Sequence, residues 1–192
     1  KYFSSETDID TGYKEGGCLF TANDEKELQS FHAWLDLAKK YGIPTELLDQ
    51  KGLRNEVGLA ANKWVGGILT RTDGRAEPQK ATLAIAKAAE DLGASIISGC
   101  SVRGIETSGG RLSRVITEKG AISTSTALCA AGAWSSYFCR SLGISVPQLK
   151  VRGTVARTNT VETKINGTIF DRQLSIRKRN DGGYTVAHGS TF

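Results

Sequence analysis

The stretch Thr126-Ala-Leu-Cys-Ala-Ala-Gly-Ala-Trp134 constrains this chain more than any other. It is a short apolar run that ends at a glycine, and a helix-like segment follows, Ser135-Ser-Tyr-Phe-Cys-Arg-Ser-Leu142, closed by Gly143. An apolar run bounded by a turn signal reads as a buried strand. Strand, small-residue turn, then helix is the arrangement that lets main chain approach a ligand at the end of a sheet. Such a turn becomes a site only where other elements of the chain build walls around it.

Upstream, residues 11–22 read as a strand interrupted at Gly16-Gly17. Asn23 or Asp24 then opens a helix, and Asp24 and Glu27 have capping-box spacing. Leu28, Phe31, Leu35 and Ala38 form one stripe flanked by Trp34 and Tyr41. Gly42 and Pro44 end it. Residues 45–56 read as short helical turns, and 65–70 as a strand leading into the turn Thr72-Asp-Gly74. Pro78 opens a second helix with Ala81, Ala84, Ile85, Ala88, Ala89 and Leu92 on one face, closed by Gly93.

Strands are expected at 94–98, 101–107, 111–117 and 121–131, the last three joined by the turns Ser108-Gly-Gly110 and Glu118-Lys-Gly120. Another strand is expected over 149–158. A hairpin pairs 173–179 with 184–188 across Asn180-Asp-Gly-Gly183. Helices and strands interleave, which places the chain in the α+β or α/β class.

Several chemistries have little to stand on. Only His32 and His188 are present, and no Gly-x-Ser-x-Gly elbow accompanies them, which argues against a nucleophilic triad. No His/Cys/Asp/Glu cluster has metal-ligand spacing, so no metal is expected. Neither Gly-x-Gly-x-x-Gly nor a P-loop occurs. The net charge of +5 is scattered apart from Arg177-Lys-Arg179, so nucleic acid is not an expected partner. No apolar run approaches the roughly 20 residues of a membrane span. The four cysteines lie far apart without a Cys-x-x-Cys pair, and buried free thiols in a reducing cytoplasm are expected. The chain contains no methionine, which suggests a piece of a longer protein. Arg177 is a candidate carboxylate clamp, since a guanidinium pairs bidentately with a carboxylate. On strand alternation it would share a face with Arg179; the bland alternative is an exposed strand beside a turn.

In order along the chain, Glu46-Leu-Leu-Asp49, Val65-Gly-Gly-Ile-Leu69, Asp73-Gly-Arg-Ala-Glu-Pro78, Leu92-Gly-Ala94, Val102-Arg-Gly-Ile105, Val115–Ile122, Ala130-Ala-Gly-Ala-Trp-Ser135, Gly143–Pro147 and Ile176–Tyr184 are present. Together they resemble the FAD-dependent oxidoreductases that include D-amino acid oxidase, glycine oxidase, sarcosine oxidase and D-amino acid dehydrogenases. Asp73–Pro78 and Leu149-Lys-Val-Arg-Gly-Thr154 look most similar to bacterial hydrogen cyanide synthase and opine oxidase flavin subunits.

The resemblance implies a segment of an FAD-binding domain, built of helix, strand and three-stranded meander, over residues 76–147. It would be interleaved with a sheet-plus-helices substrate domain formed by 1–75 and 148–192. It implies FAD contacts at Val102, through its main chain, and at Ala131, Gly132 and Trp134. It implies an amine or amino-acid substrate whose C–N bond is oxidised by hydride transfer to flavin, with Arg177 as substrate-binding residue and no catalytic acid–base residue assigned. Oxygen or an electron acceptor would reoxidise the flavin, other subunits could take part, and the location implied is the cytoplasm. Leu174 and Ser175 occupy a region where several family members carry tyrosine. Two larger departures are that the N-terminal strand with the phosphate-binding Gly-x-Gly-x-x-Gly is absent, and so is the C-terminal part that in the family covers the isoalloxazine. A central fragment, inactive alone and a poor FAD binder, is therefore expected. Two other readings stay open: a non-catalytic α+β module sharing only the fold, and a flavoenzyme of another substrate class, such as glycerol-phosphate dehydrogenases or tRNA-modifying oxidases.

Overall fold

A computed structural model describes residues 9–188. In chain order the strands and helices are β1 (Lys14–Glu15), β2 (Cys18–Ala22), α1 (Glu25–Lys40), β3 (Thr45–Leu48), α2 (Gln50–Val57), β4 (Gly66–Thr70), β5 (Gly74–Arg75), α3 (Pro78–Asp91), β6 (Val102–Ser108), β7 (Arg111–Thr117), β8 (Gly120–Ser123), α4 (Ser135–Ser141), β9 (Val155–Arg157), β10 (Thr168–Phe170), β11 (Leu174–Lys178) and β12 (Tyr184–His188). Two 3₁₀ segments, Gly58–Lys63 and Gly132–Trp134, precede β4 and α4. The chain divides into two compact units, one running to Ala94 and resuming at Gly153, the other Ser95–Arg152. No described helix is long and apolar enough to cross a membrane.

The first unit is organised on a mixed seven-stranded sheet of order β3-β4-β2-β10-β11-β12-β9. Its one parallel pair is β2 with β10, where Leu19 lies beside Ile169 and Phe20 beside Phe170. Side chains alternate across a strand, so these two pairs point to opposite faces. Leu19, Ile169 and Leu69 point into the core, which Leu48, Leu53, Val57, Ala61 and Trp64 complete from β3, α2 and the following 3₁₀ turn. Gly67 keeps this layer tight: a Cβ there would stand 2.7 Å from the Phe20 carbonyl oxygen.

Helix α1 forms for the reasons its ends suggest. Asp24 is the N-cap and accepts from the Glu27 amide at 2.9 Å. The return bond of the box lands one residue earlier than the motif predicts, from the Asn23 amide to Glu27 Oε2 at 2.7 Å. At the far end Gly42 takes φ +65°, the Gly42 amide donates to Lys39 O and the Ile43 amide to Ala38 O, a Schellman closure. Ala38 is buried while Trp34 and Tyr41 stay exposed on the flanks.

Residues 45–56 differ from expectation. Thr45–Leu48 is a strand paired with β4, and only Gln50–Val57 is helical, capped by Asp49. The β4 edge supplies the hydrogen bonds, and Thr-Glu-Leu-Leu alternates well enough to put Leu48 into the core. In α3, Pro78 sits in the first turn as predicted, but the face closes only around Ala84; Ile85 and Leu92 are exposed.

In the second unit, β6, β7 and β8 form the expected antiparallel meander. Three expected strands fall short. Residues 94–98 are irregular, the strand at 121–131 stops at Ser123, and that at 149–158 is reduced to Val155–Arg157. A strand needs a ladder partner; the Thr124 amide still donates to the Ser113 carbonyl, and no partner is found for 125–131 among the described residues. Instead Thr124 Oγ1 donates to the Thr126 carbonyl and accepts from the Thr126 amide, a local turn that competes with extension. The four thiols are free, but none is fully buried and Cys129 is exposed.

Candidate functional site

Arg177 lies on β11 opposite Thr168 of β10 and Thr185 of β12. Alternation puts Ser175 and Arg177 on the sheet face away from Leu174, Ile176 and Lys178. The side chain is mostly buried. Nη1 donates to the Ala76 carbonyl at 2.9 Å, and Nη2 lies 3.5 Å from both Glu77 Oε2 and Thr185 Oγ1. Its Nε–H has no acceptor among the described residues, so the fork is not exhausted. Glu77 does double work, because its Oε1 accepts from the Asn180 amide at 3.0 Å. Arg75 lies close by and donates through Nε to the Lys178 carbonyl. Burial first, and then the charge of Arg177, hold the Arg75 guanidinium below its usual range. The site is thus strongly cationic, with Glu77 as its counter-charge.

Arg179 does not share the Arg177 face. Strand β11 ends at Lys178, and the buried Arg179 side chain turns into the hairpin loop, donating to the Tyr184 carbonyl at 2.5 Å, the Thr158 carbonyl at 3.0 Å and Asp181 Oδ2 at 2.6 Å. The Arg179 hydrogen bond, then the Gly183 amide, bring the Asp181 carboxyl down to about 2. Arg179 is a structural staple for β9, the turn and β12. Alternation misleads here because it holds only while the strand continues.

Sequence reading missed an aromatic pair on the Arg177 face. Phe20 and Phe170 stack with ring centroids 5.1 Å apart and planes 20° from parallel. They remain 43% and 40% exposed, although each sits in the centre of the sheet. Phe170 is the cross-strand partner of Ser175, two residues from Arg177. The only available signal was that Phe20 alternates out of phase with Leu19. On the opposite face Leu59, Trp64, Ile169, Leu174 and Ile176 border a concavity of about 410 Å³. Arg177 does not reach it, being on the other side of the sheet.

The remaining predicted residues lie in the second unit. Val102 opens β6, pairs with Thr117 and is exposed. Ala131 precedes the 3₁₀ turn Gly132–Trp134. Gly132 takes φ +53°, and no atom lies within 4 Å of where its Cβ would be. Gln148 fixes the turn: its Nε2 donates to the Gly132 carbonyl at 2.9 Å and its Oε1 accepts from the Ser136 amide at 3.2 Å. Trp134 is 65% exposed, with Lys150 Nζ 4.7 Å from its ring centroid. The hydrogen bonds of Val102 and of the Ala131–Trp134 turn go to different neighbours, so the structure does not join them directly.

The profile of the family described as FAD dependent oxidoreductase matches residues 1–192. A D-amino acid dehydrogenase of Rhizobium rhizogenes is 36% identical over 115 residues, 58% of this chain and 28% of the relative. The mitochondrial sarcosine dehydrogenase of Mus musculus is 28% identical over 184 residues, 92% of this chain and 20% of the relative. Among solved structures, the L-amino acid deaminase of Proteus myxofaciens, determined with anthranilate, superposes with a TM-score of 0.86 at 32% identity, covering 96% of this chain and 42% of that one. The chain therefore spans less than half the length of each of these three proteins. With its mixed sheet and the family match running over all of its residues, the chain belongs to the FAD-dependent oxidoreductases of the D-amino acid oxidase (DAO) family.

Proposed function

We infer that this chain is the central portion of a flavoenzyme that oxidises the C–N bond of an amino acid. The observation that carries the reading is the chemistry in the names of its relatives, which span D-amino acids, sarcosine and L-amino acids. That the chain covers only part of each relative supports its being a portion. In this reading residues 76–147 serve the nucleotide, and 1–75 with 148–192 serve the substrate.

Bound FAD would supply the acceptor for a hydride leaving the nitrogen-bearing carbon. The nitrogen gives up a proton, the product is an imine, and water hydrolyses it to an oxo acid and an amine. The work of this chain is orientation. Arg177, through its unengaged Nε–H and second Nη1–H, takes the substrate carboxylate, and the neighbouring Arg75 adds to the positive field. For the cofactor, main chain at Val102, and at Ala131 and Gly132 with Trp134 alongside, would hold the nucleoside end. The positive-φ Gly132 fits that use, because the space where a side chain would stand is open. The pyrophosphate would be held by residues other than these 192, since no Gly-x-Gly-x-x-Gly lies among them.

The test is anaerobic mixing of the full-length, FAD-loaded protein with D- and L-amino acids, glycine, sarcosine and opines. Bleaching of the oxidised-flavin band by one or more of them is expected. A flavin that stays oxidised with the whole panel would overturn the reading.

A further inference from the structure

Two of the four thiols, which their spacing gave no reason to pair, meet in the second unit. Cys129 lies in the apolar run and Cys139 in α4. Ser135 and Cys139 are one helical turn apart, so they share a face of α4, and their Cα–Cβ bonds tilt toward its N-terminus. That is where the chain arrives from Cys129 through the 3₁₀ turn Gly132–Trp134. The Cys129 sulfur accordingly accepts from the Ala131 amide, the Ser135 hydroxyl and the Cys139 thiol. Main chain fixes both ends of this cluster. The Trp134 amide donates to the Ala131 carbonyl at 3.0 Å, and the Ile144 amide to the Cys139 carbonyl at 2.9 Å. The Ala131 amide first, and then Ser135, favour the Cys129 thiolate and hold that thiol below its usual range. Burial first, and then Cys129 itself, hold the Cys139 thiol above it. A sulfur disposed to ionise, beside one kept protonated, is how an attacking and a resolving cysteine are arranged.

We propose that Cys129 and Cys139 are an oxidation site, at which hydrogen peroxide drives formation of an intramolecular disulfide. The Cys129 thiolate attacks one peroxide oxygen, the O–O bond breaks, and the other oxygen leaves as hydroxide. Cys129 is then a sulfenic acid. The Cys139 thiol gives up its proton, its sulfur attacks the Cys129 sulfur, and the hydroxyl leaves as water. In total two thiols lose two electrons and two protons, and one peroxide becomes two waters. The sulfurs are already in hydrogen-bonding contact, so the bond forms without unwinding α4. It closes the loop that carries Ala131, Gly132 and Trp134, and oxidation restrains that turn whatever the turn binds. Cys18 is a poor competitor, because burial pushes its thiol up to about 11.

The experiment treats the full-length protein, freed of reductant, with hydrogen peroxide, then alkylates it with iodoacetamide and digests it with trypsin. Lys119 and Arg140 bound a single tryptic peptide, Gly120–Arg140, which contains Cys129 and Cys139 and no other cysteine. In the wild type this peptide is expected to be two hydrogens lighter than its reduced form and to take up no iodoacetamide. Dithiothreitol added before alkylation restores both adducts. In Cys139→Ser, Cys129 stops at the sulfenic acid and is captured by dimedone. In Cys129→Ser, Cys139 stays open to alkylation at the same peroxide dose. If a serine variant fails to fold, the alanine variant at that position replaces it. A wild-type peptide that keeps two alkylatable thiols at a dose that oxidises free glutathione overturns the site, and so does a cross-link from either residue to Cys18 or Cys100. Capture of Cys139 by dimedone in Cys129→Ser, with Cys129 untouched in Cys139→Ser, overturns the assignment of Cys129 as the attacking thiol.

Discussion

Glu77 and Arg177 meet across 100 residues of sequence, with Nη2 of the arginine 3.5 Å from Oε2 of the glutamate. The pair links the N-terminus of α3 to the central hairpin, because the other Glu77 oxygen holds the Asn180 amide. Both side chains are about four-fifths buried, at 22% and 20% exposure. A partly buried carboxylate accepting two such bonds contributes more than a surface ion pair. Replacing Glu77 by alanine should lower unfolding stability by about 1–3 kcal/mol in urea titrations. Glu77→Gln, which can still accept from Asn180, should lose less.

Arg177→Lys tests geometry as opposed to charge. A lysine keeps the cation but cannot present a fork, and Ala76, Glu77 and Thr185 would compete for one ammonium. In the full-length holoenzyme kcat/KM for amino acids should fall by roughly 10²-fold, mostly through KM, and Arg177→Ala should fall further. Steady-state kinetics with matched flavin content checks this. An unchanged KM would remove Arg177 from the substrate site.

Leu53 is fully buried at the centre of the core cluster. Leu53→Ala should cost about 2–5 kcal/mol, measured by chemical denaturation.

Much of the fold was legible where the deciding interactions are local. The Asp24 cap, the Gly42 closure, the Pro78 start and the Asn180–Gly183 turn all sit within a few residues of what they control. Thr45–Leu48 was misread because its conformation is set by β4, not by its own residues. Phe20 and Phe170 were invisible as a pair for the same reason: only the parallel alignment of two strands distant in sequence brings them together. The family's site residues came from resemblance, and Arg177 alone among them also had a chemical argument behind it. What that argument could not foresee was Glu77, a partner far away in the chain.

Asp181 gives the hairpin a pH dependence. Its carboxyl lies at about 2 in the folded chain against an ordinary 3.8, because Arg179 and the Gly183 amide favour the anion. A folded value depressed below the unfolded one means stability that is full above about pH 3.8 and lost as pH falls toward 2. Asp181→Asn should therefore be less stable than wild type at neutral pH. The difference should shrink through that window and vanish below it. Urea midpoints measured across the acid range check the sign. A difference that persists unchanged in strong acid would mean that the side chain acts through shape, not charge.

A helix N-terminus preceded by closely spaced glycines is what usually neutralises a dinucleotide pyrophosphate, and this chain has no Gly-x-Gly-x-x-Gly. Its proposed nucleotide contacts, Val102 and the Ala131–Trp134 turn, are main chain and aromatic surface, which can recognise a nucleoside but carry no charge for phosphate. Purified by itself, the segment should emerge colourless and should not take up FAD at micromolar concentration in equilibrium dialysis. Longer protein that includes a Gly-x-Gly-x-x-Gly strand–helix unit should retain it. Stoichiometric FAD on the 192-residue chain would show that Gly132 and its neighbours hold the cofactor without a phosphate cradle. The assignment of residues 76–147 as part of a nucleotide site would then need a different anion-binding group.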